Sequence, residues 1–315
     1  MVAPLEFEKH IAELESKLNG LRNFNNSEGV DIVKEISRLE KKLQKLMATK
    51  YESLTPWEKV LVARHPERPH FSDYLRALFT NFEDLAGDRY YGDDRALVGG
   101  LAKFNGIPCV VMGHEKGNDT ESRIKHNFGM PRPEGYRKAA RLMELANQFE
   151  LPLISFVDTS GAHPGLEAEE RGQAEAIAKS IETMMNMKVP SLVIVTGEGG
   201  SGGAIAIAIG NEVLMLEHSI YSVVSPEGCA SILWRTAEKK QEAAAAQKFT
   251  AQDLKEFGVI DTIIPEPLGG AHRNYLEAFD SVRKAIQNAL ERQRKKSPDE
   301  LLANRHEKFL AMGKL

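Results

Sequence analysis

Residues 191–210, SLVIVTGEGGSGGAIAIAIG, predict a strand, a glycine turn and a short apolar helix in succession. The β-branched run at 192–195 is long enough for a buried strand and too short for a helix. The glycines at 197–203 let the backbone reach positive φ and let another molecule approach its N–H groups. A strand that leads through glycines into a helix N-terminus predicts an electropositive site for an oxyanion or a phosphate.

The composition is that of an ordinary soluble globular protein. The chain has 315 residues, 42% of them hydrophobic and 27% charged, and a formal net charge of -4. It is long enough to bury a sizeable core, and its mild acidity gives no reason to expect nucleic-acid binding. Cys109 and Cys229 form no CxxC pair, so we expect neither a zinc site nor a disulfide framework. The N-terminus does not resemble a targeting peptide and no apolar run approaches the ~20 residues of a membrane span, which predicts a cytoplasmic protein.

The first half of the chain is predicted to contain helices and one β-hairpin. Apolar residues at spacings of three and four predict an antiparallel helical hairpin over residues 1–50, with its turn at 23–29. His65 and His70 lie in a proline-rich connection. No carboxylate or cysteine nearby completes a ligand set with them, so we expect an ordered loop and not a metal site. Helical spacing resumes at 71–82. Apolar runs at 96–102 and 107–112 then flank Asn105-Gly106, a strong hairpin signal.

Strands and helices alternate after a long polar loop at 113–133. We predict a helix over 133–149, a strand over 151–157, a helix over 168–187, and short strands at 213–216 and 220–224. This alternation favours a parallel α/β sheet with right-handed crossovers. The predicted domain organisation is a helical hairpin at 1–50, an α/β domain at 51–296 and a C-terminal helical tail at 297–315.

Two familiar motifs compete for the glycine segment. Gly197, Gly199 and Gly202 form G-x-G-x-x-G after a strand, which is the dinucleotide-binding pattern, and Glu217 lies near the spacing of its ribose ligand. The short following helix and the strand–helix units that precede the motif argue against this hypothesis. On these residues alone, the dinucleotide-binding motif and the second motif, described next, both stay open.

The second motif is the nucleophile elbow G-x-S-x-G, centred on Ser201. Asp261 and His272 follow in Ser–Asp–His order, although nine histidines make that order easy to satisfy by accident. The additional glycines beside Ser201 favour a role for the backbone over a side-chain nucleophile. In a third interpretation, the loops at 161–165 and 199–203, which each follow a strand, direct backbone N–H groups into one cavity.

Several blocks, in the family's order, resemble the α subunit of the carboxyltransferase component of multisubunit acetyl-CoA carboxylase. They are NFGMP at 127–131, PEGYRK at 133–138, DTSGAHPG at 158–165, EERGQ at 169–173, GEGGSGGA at 197–204, SPEGCASILW at 225–234 and PEPLGGAHRN at 265–274. Ser160 and His163 depart from the proline and tyrosine of the family. The resemblance covers nearly the whole chain and implies an α/β crotonase (ClpP/crotonase-like) fold of repeated ββα units, with the N-terminal hairpin and C-terminal helices added.

The resemblance also implies an activity and partners. The family transfers the carboxyl group of carboxybiotin, supplied on the biotin carboxyl carrier protein, to acetyl-CoA, which gives malonyl-CoA for fatty acid biosynthesis. The expected partners are a zinc-ribbon β subunit in an α2β2 heterotetramer, the carrier protein and biotin carboxylase. We therefore expect an enzyme that is active only with the β subunit, without a permanently bound cofactor or a metal in this chain.

By position in the family, Gly202 and Gly203 form the oxyanion hole for the biotin ureido oxygen. Ser201 is then a structural residue and His272 part of a packing or interface turn. The remaining predicted substrate-binding residues, which shape the pocket or contact acyl-CoA phosphates or the carrier, are Gly199, Gly200, Gly161, Gly165, Arg137 and Lys138.

Overall fold

An eight-stranded mixed sheet forms the centre of the computed structural model, which describes residues 3–24 and 30–313. The strand order is β1-β2-β3-β4-β5-β6-β8, and β7 pairs with the far end of β5. The strands are β1 (Phe79–Asp84), β2 (Leu97–Phe104), β3 (Ile107–His114), β4 (Leu153–Thr159), β5 (Ser191–Gly200), β6 (Glu212–Leu216), β7 (Ile220–Ser222) and β8 (Thr262–Ile264).

Helices surround this sheet. They are α1 (Lys9–Phe24), α2 (Val30–Glu52), α3 (Pro56–Ala63), α4 (Phe71–Leu78), α5 (Thr120–Lys125), α6 (Pro133–Gln148), α7 (Leu166–Glu170), α8 (Gln173–Met185), α9 (Ser201–Ile205), α10 (Pro226–Trp234), α11 (Lys240–Gln247), α12 (Ala251–Glu256), α13 (Tyr275–Gln293) and α14 (Pro298–Ala311). In the part of the chain that the structure describes, none of them is long and apolar enough to cross a membrane.

The sheet combines an antiparallel edge with a parallel body. β1, β2 and β3 pair antiparallel, and the tight turn at Asn105 (φ 46°) and Gly106 (φ 81°) confirms the predicted hairpin. β3, β4, β5, β6 and β8 are parallel, as the alternation of strands and helices predicted. The carboxyl ends of β3, β4 and β5 therefore meet at one edge of the sheet.

β5 is buried on both faces because helices cover the sheet from two sides. Val193 and Val195 pack into a core with Leu142 of α6 and Met184 of α8. The alternate residues Leu192 and Ile194 belong to a second core with Val282, Ile286 and Leu290 of α13. A strand that is buried on both faces needs the continuous apolar run that the sequence has at 192–195.

Two predicted helices have other boundaries. The helix predicted at 71–82 is wrong beyond Leu78, because Phe79 pairs with Phe104 and β1 joins the sheet edge. The helix predicted at 168–187 is two helices, α7 and α8, since Gly172 adopts a left-handed conformation (φ 81°) between them. Tertiary pairing decides the first boundary and one glycine the second.

Both ends of the chain pack on the central domain. α1 and α2 contact each other, whereas most of their predicted turn, residues 25–29, lies outside the described residues. Glu8 accepts hydrogen bonds from Tyr51 Oη and Arg273 Nη2 at 2.9 and 2.7 Å. In α14, the buried Arg305 donates to Ser191 Oγ and to Asn211 Oδ1. The division into three regions at residues 50 and 296 stays a prediction.

Candidate functional site

β5 runs directly into α9, so the predicted glycine turn is a strand followed by a sharp junction. The prediction of a turn over 197–203 is wrong at Gly197 and Gly199, which lie inside β5. Ser201 begins the helix with a left-handed φ of 53°. Among the residues that the structure describes, no side chain caps this helix start, and the first N–H groups of a helix have no intrahelical acceptor. The N–H groups of Gly202 and Gly203 are thus partly positive, uncapped donors.

Most glycines at the junction are required by contacts within the chain. A Cβ on Gly202 would have Ile177 as its nearest neighbour at 3.7 Å, which is ordinary van der Waals contact. Added at Gly197, Gly199, Gly200 or Gly203, a Cβ would lie closer than 3.0 Å to Asp158, Tyr221, Ser160 and Ala162, respectively. The expectation that all these glycines admit another molecule is therefore too broad, and Gly202 retains the open position.

The loop after β4 packs against the junction between β5 and α9. The Gly161 N–H donates to Thr159 Oγ1 at 3.0 Å, and the His163 N–H donates to Pro131 O at 2.9 Å. The hypothesis that this loop directs its N–H groups into a shared cavity is thus wrong at Gly161 and His163. The Gly161 and Ala162 backbone packs against Gly203.

The other predicted residues of this loop are held by local contacts. His163 Nε2 lies 2.8 Å from Glu167 Oε1, and a Cβ at Gly165 would collide with these two side chains. The carbonyl oxygen of Ser160 occupies the space that a Cβ on Gly200 would need. The assignment of Gly161, Gly165 and Gly200 to a substrate pocket stays a prediction.

Arg137 and Lys138 bind acidic residues of the chain itself. Arg137 Nε lies 2.8 Å from Asp88 Oδ2 and its Nη2 lies 3.1 Å from Glu134 Oε1. Lys138 is 2% exposed and its Nζ lies 2.6 Å from Asp93 Oδ1. Their prediction as contacts of CoA phosphates or the carrier would require these ion pairs to open.

A mostly apolar groove of about 400 Å³ lies in front of the junction. Ser201 and Gly202 form part of its wall, and the other lining residues are Ile205, Tyr221, Ser222, Val223, Leu254 and Val259. Apolar side chains are also exposed on α10, where Ile232 and Leu233 are 73% and 64% exposed. The open position at Gly202 thus belongs to a residue in the wall of this groove.

A polar cavity of about 310 Å³ lies on the other side, at the carboxyl ends of β3, β4 and β5. Its wall includes Lys116, Asp158 and Glu198, and the Lys116 ammonium lies 2.7 Å from Asp158 Oδ1 and 3.0 Å from Glu198 Oε2. Sequence reasoning missed this ion-pair cluster. Its signals were an aspartate at a strand end and a glutamate within a glycine run, both too common to stand out.

The acidic residues and the histidine that the two competing motifs require each contact other parts of the chain. Asp261 Oδ2 accepts from the Val213 N–H at 2.7 Å, and the buried His272 stacks on His65 with ring centroids 3.9 Å apart. The Ser201 side chain is exposed. Within residues 3–24 and 30–313, no three His, Cys, Asp or Glu side chains are grouped to hold a metal ion. The Glu217 carboxylate accepts from the Glu266 N–H at 3.3 Å.

Burial keeps two histidines near the sheet neutral. Burial lowers the pKa of His114 to about 3. Burial and the adjacent His65 lower the pKa of His272 to about 2. The unfolded chain therefore binds more protons than the folded protein as the pH falls below the ordinary histidine value.

We expect stability to decrease on acidification. Between about pH 7 and pH 5 each of these histidines should cost about 2 kcal/mol of the free energy of unfolding, because only the unfolded form takes up its proton. Denaturant titrations at both pH values measure this loss. His272→Gln should reduce the pH dependence, whereas the control His10→Gln, at an exposed ring, should retain it. An unchanged pH dependence in His272→Gln would contradict the assignment.

Comparison with known proteins identifies the family. The sequence matches the model described as acetyl co-enzyme A carboxylase carboxyltransferase-like over residues 4–313. A relative from Paracoccus denitrificans (strain Pd 1222), named acetyl-coenzyme A carboxylase carboxyl transferase subunit alpha, is 59% identical over 310 residues, which is 98% of each chain. The chain belongs to the acetyl-CoA carboxylase carboxyltransferase α-subunit family. Another α subunit, from Rhizorhabdus wittichii, is 56% identical over 99% of this chain and 100% of the relative.

Solved structures confirm the crotonase-like α/β fold of this family member. Transcarboxylase 12S, with methylmalonyl-coenzyme A and methylmalonic acid bound, has a TM-score of 0.60 and 20% identity over 73% of this chain and 42% of its own. A Pseudomonas malonate decarboxylase hetero-tetramer in complex with coenzyme A has a TM-score of 0.60 and 18% identity over 74% and 90% of the two chains. At these identities the likeness concerns the fold alone.

Proposed function

We propose that this chain is the α subunit of a cytoplasmic acetyl-CoA carboxylase carboxyltransferase. With a β subunit it transfers the carboxyl group of carboxybiotin, presented by the biotin carboxyl carrier protein, to acetyl-CoA, and malonyl-CoA is formed. Biotin carboxylase supplies the carboxylated carrier. The observation that carries this proposal is identity of 59% to a named α subunit over 98% of both chains.

In the proposed reaction, Gly202 and Gly203 bind the ureido oxygen of biotin through their N–H groups. The biotin group, when bound, supplies the carboxyl group and an oxygen on which negative charge develops. Two preorganised donors at such an oxygen are worth about 3–4 kcal/mol each. The uncapped start of α9 and the open position at Gly202 support this assignment, since both leave room for a carbonyl oxygen.

A separate subunit is proposed to complete the site. The groove beside Gly202 is open to solvent and mostly apolar, and Ile232 and Leu233 of α10 are exposed as well. Covering this surface would exclude water from the oxyanion and strengthen its interaction with the N–H groups. A β subunit in an α2β2 heterotetramer is the partner that the family relationship supports.

The isolated chain is expected to show only background carboxyltransfer, because half of the proposed site belongs to the β subunit. Biotin-dependent decarboxylation of malonyl-CoA measures the reaction in reverse. Co-purified α and β subunits should restore the activity, with the β subunit alone as the control. Full activity of the isolated α chain would contradict the shared site, and an inactive, correctly assembled complex would contradict the proposed function.

A further inference from the structure

The ladder between β4 and β5 is irregular directly before the Gly202 and Gly203 junction. Val157 pairs with Val195, but the next pair is Thr159 with Gly199, so β5 has additional residues in this interval. Such an irregularity releases backbone groups from the ladder and redirects the strand that follows it. The released N–H of Glu198 donates to Asp158 Oδ1 at 2.9 Å. A side chain of β4 therefore supplies the acceptor that the ladder lacks.

Side chains of three neighbouring segments surround Asp158 and Glu198. The Lys116 ammonium, after β3, contacts both Asp158 and Glu198. Although burial opposes ionisation, Lys116 keeps the pKa of each carboxyl below its usual range. His70 approaches Asp158 Oδ2 at 3.9 Å, and Arg64 Nε lies 2.7 Å from Glu198 Oε1. Asp158 and Glu198 are only 4% and 8% exposed, so their geometry is set by these partners and not by water.

Gly197 of β5 leaves room for the Asp158 carboxylate. A Cβ at Gly197 would lie closer than 3.0 Å to the carboxyl atoms of Asp158. Gly197 therefore admits the carboxylate beside β5, and the carboxylate in turn holds the backbone of the next residue, Glu198. The junction with α9 follows three residues later.

We propose that Asp158 is a positioning residue that sets the direction of the Gly202 and Gly203 N–H groups. It does so by binding the irregular part of β5, without contact to the substrate. The catalytic consequence rests on the proposed function, whereas the effect on the backbone does not.

The first test compares Asp158→Ala with Glu212→Ala. Glu212 is also a buried carboxylate of the sheet, but it lies at the start of β6 and binds Arg292 and Gln293. Hydrogen exchange of the free α chain should be faster at 197–203 in Asp158→Ala and unchanged there in Glu212→Ala. In the α–β complex, Asp158→Ala should lower kcat by about 100-fold and leave KM within about twofold.

Asp158→Asn should have an intermediate effect, since its amide oxygen can still accept from the Glu198 N–H. Equal exchange at 197–203 in the wild type and Asp158→Ala would overturn the proposal. So would equal losses of kcat in Asp158→Ala and in a Glu212→Ala complex of the same stability. If the wild-type complex lacks carboxyltransfer, the proposed function fails, and the exchange experiment still decides whether Asp158 positions the backbone.

A second test removes the cation between the carboxylates. Lys116→Met leaves Asp158 and Glu198 facing each other without a shared counter-ion, and one of them should then take up a proton as the pH falls. We expect the ratio of the kcat of Lys116→Met to that of the wild type to rise as the pH is lowered. Lys116→Met with Asp158→Asn should be more active than Lys116→Met alone, because the second substitution removes the repulsion. Independent, additive losses would overturn the proposed coupling.

Discussion

Gly203→Val is expected to reduce carboxyltransfer by the α–β complex about 100-fold or more. A Cβ at Gly203 would lie 2.5 Å from the Ala162 nitrogen and 2.5 Å from the Gly161 carbonyl carbon. Both neighbours are backbone atoms of the loop after β4 and not ends of flexible side chains, so α9 itself must move and its N–H groups lose their alignment. The collision therefore lies within the chain itself and not with the substrate.

Two neighbouring substitutions serve as matched controls for Gly203→Val. Gly202→Ala places its methyl group 3.7 Å from Ile177 and should leave the free energy of unfolding nearly unchanged. Ser201→Ala should retain substantial carboxyltransfer, because Asp261 and His272, the partners that a nucleophilic serine would need, bind Val213 and stack on His65 instead. A fully active, stable Gly203→Val complex would refute the oxyanion assignment, and complete loss in Ser201→Ala would favour the nucleophile hypothesis instead.

Glu266→Gln is expected to lower the free energy of unfolding by about 3–5 kcal/mol. Glu266 Oε1 and Oε2 bind the Arg68 guanidinium at 2.6 and 2.8 Å, and the arginine is 1% exposed. A glutamine would leave this guanidinium buried without its counter-ion and direct an NH₂ group toward its donors. Although burial opposes it, Arg68 lowers the pKa of Glu266 to about 2, so the pair persists throughout the neutral and mildly acidic range.

Denaturant-induced unfolding near neutral pH measures the effect of Glu266→Gln. Asp280→Asn is the matched control, since Asp280 pairs with Lys284 on the surface of α13 and its side chain is 55% exposed. An exposed pair of this kind contributes at most about 1 kcal/mol. Equal stability losses in the two variants would contradict the importance of the buried pair.

Local sequence signals predicted the sheet well where the local pattern matches the burial and the turn geometry of the folded protein. The apolar run at 192–195 became the doubly buried centre of β5, and Asn105-Gly106 became the turn between β2 and β3. The boundary between α4 and β1 was not predictable in this way. Phe79 leaves the helical pattern because it pairs with Phe104, which lies in a strand formed further along the chain.

The candidate site was predicted in part. The glycine segment identified the location of the junction, and the family resemblance indicated which N–H groups to examine. The contacts that shape it were not visible, because Lys116 and Glu198 are 82 residues apart and meet Asp158 only when β3, β4 and β5 align. The assignment of Gly202 and Gly203 to the oxyanion hole remains a prediction.

By itself, the sequence determined the family and the alternation of strands and helices, because both can be recognised from short-range motifs and from the order of these motifs along the chain. Only the tertiary structure decided what each glycine at 197–203 is for. A glycine in the sequence does not reveal which atom occupies the space of its absent Cβ, because that atom comes from a neighbouring strand or loop. Asp158 then occupies the space at Gly197 and the Gly161–Ala162 backbone that at Gly203, while Gly202 keeps its position open.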